Sequence, residues 1–267
     1  MNFCKMSLLL IAFAGTVFES DHTNGVMHGK PYLGIFAGGG SSNKINASQY
    51  GTAFFTEAAG GPLAIDAFGQ LNRKSTGLFG VQIGYHAKDI DVNSATLILG
   101  PAAELEWYSL SKNSFRGTLF NNTTRSDERS FNVTYPMERN VFLVNAVLNF
   151  KNSRFFINPY LGLGFGTAVV KISGASSINS SEPGIEHYNT NSSDTSTTFA
   201  GQVKLGLFYE VNRYLGIFVD YRWLYIASTH FIFASTVYAT HVPTSSWQVK
   251  MNSQNYNMGA IGIRLSL

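Results

Sequence analysis

The sequence predicts an all-β protein, an eight-stranded antiparallel up-and-down transmembrane β-barrel with short turns at one end and long loops at the other. Three observations predict it. The 267 residues are 45% hydrophobic and 14% aromatic but only 13% charged, with 26 Gly and 7 Pro. Eight segments alternate apolar with small or polar residues at a period of two. The gaps between them alternate long and short. The same composition excludes other classes. Disordered chains are charge-rich and aromatic-poor. No run approaches the ~18 apolar residues of a helical membrane span. One Cys cannot form an internal disulfide. A formal charge of +3 with no dense Lys/Arg run gives nucleic acid nothing to bind.

Residues 1–20 read as a secretory signal peptide. Lys5 and the amino terminus supply the positive region, and Met6–Phe13 the apolar one, too short to span a bilayer. Cleavage is expected after about Ala14 or Ser20, leaving 21–267 as a single barrel domain without Cys4.

The strands follow in order at about 31–40, 77–86, 96–109, 140–150, 156–171, 198–211, 214–227 and 255–267. The third sets Leu97, Leu99, Ala103, Leu105 and Trp107 against Gly100, Ala102, Glu104 and Glu106. The sixth sets Val203, Leu205, Leu207 and Tyr209 against Gln202, Lys204, Gly206, Phe208 and Glu210. The seventh sets Leu215, Ile217, Val219, Tyr221, Trp223 and Tyr225 against Gly216, Phe218, Asp220, Arg222 and Leu224. The last sets Ile261, Ile263, Leu265 and Leu267 against Ala260, Gly262, Arg264 and Ser266. Each is a strand with one apolar and one mixed face. Lengths of about ten to fourteen residues match a tilted strand crossing a bilayer. Pro31-Tyr32-Leu33-Gly34 recurs as Pro159-Tyr160-Leu161-Gly162. In a closed barrel Pro is confined to strand starts, so local need accounts for the repeat.

Gaps 41–76, 110–139, 172–197 and 228–254 are long, whereas 87–95, 151–155 and Asn212-Arg213 are short. Outer-membrane barrels keep short turns in the periplasm and long loops outside. The first long gap is apolar at Phe54, Phe55, Ala58, Ala59, Pro62, Leu63, Ile65 and Phe68, which predicts folding over the mouth or a short helix. The second mixes Arg116, Arg125, Asp127, Glu128, Arg129 and Arg139, a solvated set. The fourth carries Phe231, Ile232, Phe233, Val237, Tyr238 and Trp247, which read as strand extensions forming a protruding sheet, with an edge open to strand addition.

An eight-stranded interior is just wide enough for side chains to fill it. Tyr221, Trp223 and Tyr225 cannot all crowd into it, so the aromatic face meets lipid. Tyr85, Trp107, Trp223 and Tyr225 then form the aromatic girdle. Parity places Glu104, Glu106, Lys204, Glu210, Asp220, Arg222 and Arg264 in the lumen, four acids against three bases, with His86 as a further base when protonated. Desolvated ions cost several kcal/mol each unless paired. Near-balance therefore predicts a salt-bridged plug, with a base between Glu104 and Glu106.

No catalytic, metal or cofactor site is expected. His230 lies near Ser228 and His241 near Ser245, but the fourth loop holds no acid to orient either pair. His22, His28, His86, His187, His230 and His241 are scattered without ligand spacing, and a surface-loop role is expected for each.

The runs PYLGIFAGGG, GQVKLGLFYEVNRYLGIFVDYRW and MGAIGIRLSL resemble the small eight-stranded outer-membrane barrels of Gram-negative bacteria, the family of the outer membrane protein A membrane domain and the opacity-type surface antigens. The resemblance implies a bacterial outer-membrane location and insertion by the barrel-assembly machinery. Ile263, Leu265 and Leu267 would serve as the terminal assembly signal. Family members usually end in Phe, where this chain has Leu267. The peptidoglycan-binding domain that follows the barrel in outer membrane protein A is not expected here. The resemblance further implies a non-enzymatic, monomeric surface barrel in contact with outer-membrane lipid and lipopolysaccharide. It would act through its loops as a structural envelope protein or as an adhesin or host-interaction antigen, with host-surface or other envelope proteins as partners. The alternatives are a small ion-permeable pore and a lipid A-modifying barrel enzyme.

Overall fold

The computed structural model describes residues 29–93, 97–123, 129–151 and 156–267. The expected signal peptide lies outside them, as do Arg125, Asp127 and Glu128 of the second loop. Fourteen strands form one sheet. In chain order they are β1 (Lys30–Ser42), β2 (Ile45–Ala53), β3 (Leu63–Leu71), β4 (Ser75–His86), β5 (Ile90–Asn93), β6 (Leu97–Asn121) and β7 (Ser130–Lys151). Then come β8 (Ile157–Ile172), β9 (Ser176–Asn179), β10 (Asp194–Glu210), β11 (Leu215–Ile226), β12 (Thr229–Phe233), β13 (Trp247–Met251) and β14 (Gln254–Ser266).

Eight of these close a ring. Antiparallel ladders join β1 to β4, β4 to β6, β6 to β7, β7 to β8, β8 to β10, β10 to β11, β11 to β14 and β14 back to β1. These are the eight strands that the sequence periodicity marks. Past the end of β14, the Leu267 amide still donates to the Pro31 carbonyl at 2.9 Å, extending the seam between first and last strands. Closure leaves the ring no edge.

The alternation sorts side chains as parity requires. Ile217, Val219, Tyr221 and Trp223 of β11 point outward and are exposed, as are Leu205, Leu207 and Tyr209 of β10 and Ile261, Ile263 and Leu265 of β14. Their neighbours Phe218, Arg222, Lys204 and Arg264 are buried inside. A strand such as β11 rises ~36 Å along its own axis, or ~28 Å along the barrel at a tilt of ~40°. That matches the apolar band of a barrel in a bilayer.

The long-loop end is a second storey of sheet. Strands β6 and β7 run 25 and 22 residues and continue straight into it. The β2–β3 hairpin pairs with upper β6, β9 pairs with upper β7, and β12–β13 joins through β13 to β2. Backbone bonds carry the ladders across the breaks: Asn43 N to Asn255 O at 3.0 Å, Asn72 N to Arg116 O at 2.9 Å, and Ala227 N to Phe199 O at 2.9 Å. The first loop is therefore a hairpin and not a helix. Leu63, Ile65 and Phe68 lie on β3, whereas Phe54, Phe55, Ala58, Ala59 and Pro62 lie in the 54–62 connection, where Glu57–Ala59 forms a 3-10 turn.

Most of the stretch expected as loop 110–139 is strand: β6 continues to Asn121 and β7 starts at Ser130. A bulge between Leu110 and Asn113 inserts one extra residue in β6 against β7. A bulge flips the alternation from even to odd, so Glu104, Glu106 and Tyr108 face inward below it, and Phe115 and Leu119 above it.

Candidate functional site

The lumen is a continuous stack of side chains. At the short-turn end lies a vestibule of about 490 Å³, lined in part by Lys30, Asp89, Lys151, Glu210 and Arg213. Glu210 is exposed there, at the last position of β10, and takes no part in the buried ion pairs. Parity assigns a residue its face but not its depth, and this one sits past the seal. His86 stands beside the vestibule with its ring 4.7 Å from that of Tyr32.

Above the vestibule the other six expected charges meet, three acids and three bases. Lys204 reaches across the barrel from β10 to Glu104 on β6 and lies 3.8 Å from Glu106, so it is the base between the two glutamates. Arg264 bonds Glu104 at 3.2 Å. Arg222 binds Asp220 through Nε at 2.7 Å and Nη2 at 3.0 Å, and binds Glu106 through Nη1. All six are buried.

Neutral groups complete the coordination. The Tyr32 hydroxyl donates to Glu104 at 2.6 Å and the Tyr160 hydroxyl to Asp220 at 2.7 Å. Asn145 and Gln202 donate to Glu106 at 2.8 and 2.9 Å, and Tyr108 donates to Gln202 at 3.0 Å. Phe36 covers the Arg222 guanidinium at 3.9 Å.

Tyr32 and Tyr160 are the tyrosines of the repeated Pro-Tyr-Leu-Gly. Each lies opposite a glycine, Gly84 and Gly206, where a Cβ would fall 2.2 and 2.4 Å from the tyrosine Cζ. The repeat thus marks two equivalent lumen positions, each with a hydroxyl for one carboxylate and a glycine opposite to admit the ring.

Higher still is Arg139, fully buried and not solvated as its place in the second gap suggested. It lies under the cap between Phe115 at 4.7 Å and Tyr256 at 5.5 Å, with no hydrogen-bond partner on its guanidinium nitrogens. β7 continues unbroken through this position, which carries Arg139 inside. Arg116 and Arg129 remain exposed.

The cap draws on all four long loops. Gln49 of the first accepts from Ser177 at 2.9 Å and Tyr188 at 2.7 Å, both of the third. Tyr135 of the second bonds the Tyr188 hydroxyl at 3.1 Å and stacks on Phe233 of the fourth at 6.3 Å. Trp247 donates to Thr236 at 3.1 Å, and Thr236 donates to the His187 carbonyl at 2.9 Å. Phe131, Tyr188, Phe231, Phe233 and Trp247 are all about 1% exposed or less. The edge expected to be open on the fourth loop is covered. Asp194 and Ser196 of β10 accept from the amides of Ile232 at 2.6 Å and His230 at 3.3 Å, which blocks strand addition there.

The structure does not join His241 to Ser245. The Ser245 hydroxyl accepts from the Thr52 amide and donates to the Ser246 carbonyl, each at 3.0 Å. His241 and the buried His187 instead converge on Glu182 of the third loop, so these two histidines are not scattered surface groups. Tyr85, Trp107, Trp223 and Tyr225, the residues expected to form a girdle, all point out of the barrel, as do Tyr209 and Tyr214 beside the short turn at 212–213. A closed ring, apolar outside and ionic inside, decides the architecture.

The chain is a closed eight-stranded antiparallel β-barrel.

No protein-family model matches the sequence, and no curated protein does. Among solved structures, Neisserial surface protein A is 14% identical, with 88% of this chain and 96% of that one covered at a TM-score of 0.38. The outer membrane protein OprG of Pseudomonas aeruginosa is 11% identical, with coverage of 91% and 99% at a TM-score of 0.45. The outer membrane protease OmpT of Escherichia coli is 9% identical, with coverage of 88% and 97% at a TM-score of 0.40.

Proposed function

We propose that this barrel is a bacterial outer-membrane surface protein with a closed lumen, whose long-loop cap is the working face of a structural envelope protein or host-interaction antigen. The observation that carries the reading is the filled interior. Six paired charges block the lower lumen, and an aromatic core drawn from four loops blocks the upper. A pore needs a hydrated path, and side chains occupy this one. With transport closed off, the protruding cap is what remains to act, and rigid scaffolds usually carry their binding function on such loops. Its outer face sets Phe68 opposite Phe120, both 58% exposed, within a polar surround. Outer-membrane lipid and lipopolysaccharide are the partners of the apolar band. The outward row Ile263, Leu265 and Leu267 offers the assembly machinery its terminal strand. A ring without edges has no need of a second copy.

Orientation is the test. In a Cys4→Ser background, Asn122→Cys at the long-loop end should label with a membrane-impermeant maleimide on intact Gram-negative cells. Glu210→Cys at the short-turn end should label only after the outer membrane is permeabilised. The reverse pattern, or protection of both, contradicts the reading.

A further inference from the structure

We propose that Glu182, His187 and His241 form a binding site for a divalent transition metal, zinc by its donor set, which clasps the third long loop to the fourth. His187 Nε2 stands 3.4 Å from Glu182 Oε2, and His241 Nε2 stands 3.2 Å from Glu182 Oε1. One ligand atom from each residue falls within a 4.8 Å cluster. A tetrahedron with metal–ligand bonds of ~2.0 Å has edges of ~3.3 Å; each histidine stands at about that distance from one Glu182 oxygen, and the ligand atoms, spread over as much as 4.8 Å, would draw closer on binding.

The hydrogen bonding leaves a place for a cation at the centre. His187 Nδ1 lies 2.8 Å from the Ser177 carbonyl, so it carries the proton and donates. In the neutral ring Nε2 is then a lone pair aimed at a carboxylate oxygen, acceptor against acceptor. Glu182 Oε2 is buried without a hydrogen-bond partner, as is His241 Nδ1. A backbone carbonyl that fixes the tautomer of a histidine is the usual outer shell of a metal ligand. Phe131 and Trp247 hold the His187 ring edge-on at 5.2 and 5.4 Å. The Glu182 amide bonds the Asn179 carbonyl at 3.2 Å, which anchors the carboxylate in a turn.

Two imidazoles and one carboxylate select zinc and its neighbours over calcium or magnesium, which take oxygen sets. Glu182 is the most exposed of the three at 23% of its side chain, so it faces the open side where a water would complete the tetrahedron. The metal would join the 182–187 turn to the segment around His241, which side-chain contacts otherwise hold together.

The test is zinc titration of untagged, refolded full-length protein by calorimetry, with cobalt substitution to read tetrahedral ligand-field absorption. The expected result is one zinc per chain, lost at least ~100-fold in both Glu182→Gln and His241→Ala, while His230→Ala binds as wild type. Both variants should keep the heat-dependent gel shift of a folded barrel. Zinc should also slow proteolysis within 180–190 in wild type only. No zinc binding by wild type, or binding unchanged in both variants, overturns the proposal and leaves a hydrogen-bonded cluster.

Discussion

Replacing Glu104 with alanine is expected to cost the barrel about 3–5 kcal/mol in urea unfolding from lipid vesicles. The carboxylate is buried and serves three partners, Lys204, Arg264 and Tyr32. Its removal strands two cations where water cannot reach them. Lys204 keeps only the 3.8 Å contact with Glu106, and Arg264 keeps none of its ion pairs. Breaking one side of a buried pair is far costlier than replacing the whole set with apolar residues. Glu104→Gln should fall between, because its amide oxygen still accepts from Tyr32 while the charge is gone. A cost under ~1 kcal/mol for Glu104→Ala would mean that the lower lumen is hydrated, since surface-like pairs are worth no more than that.

Trp247→Ala should cost a similar ~3–5 kcal/mol, but locally. Trp247 is the largest fully buried side chain in the structure, and it packs against Phe131, His187 and Tyr188 at 5.4 to 6.4 Å. It also donates to Thr236, which holds the third loop through the His187 carbonyl. The cavity lies wholly in the upper storey. The variant should keep the heat-dependent gel shift of a closed barrel while its loops become sensitive to protease. Loss of the gel shift together with the cap would show that the two storeys fold as one cooperative unit.

The ring was legible because a wall between lipid and lumen forces a strict period of two, and the eight segments carry it residue by residue. The ionic pairs were legible for the same reason: parity put Glu104, Glu106, Lys204, Asp220, Arg222 and Arg264 on one face. Depth was not legible, and Glu210 shares the parity of Lys204 yet lies at the open end. The upper storey was hidden by the bulge at Leu110–Asn113, where one inserted residue inverts the pattern and ends the visible strand. Arg139, one residue short of the expected fourth strand, falls in the gap by that boundary alone; β7 runs unbroken through it and carries it fully buried. Tyr32 and Tyr160 carried a usable signal in their repeated Pro-Tyr-Leu-Gly, but only the opposing glycines give it meaning. The meeting of Glu182 with His241 had no sequence signal, since the two lie on different loops.

The most direct test of the closed lumen is single-channel recording of the refolded full-length protein in a planar bilayer, with folding confirmed by the heat-dependent gel shift. The account predicts silence at the potentials where open barrels conduct, and it predicts silence still for Trp247→Ala, because the six-charge plug lies below the cap. Steady discrete openings from wild type would contradict it, and would make Glu104, Glu106, Lys204 and Arg222 the lining of a conducting path.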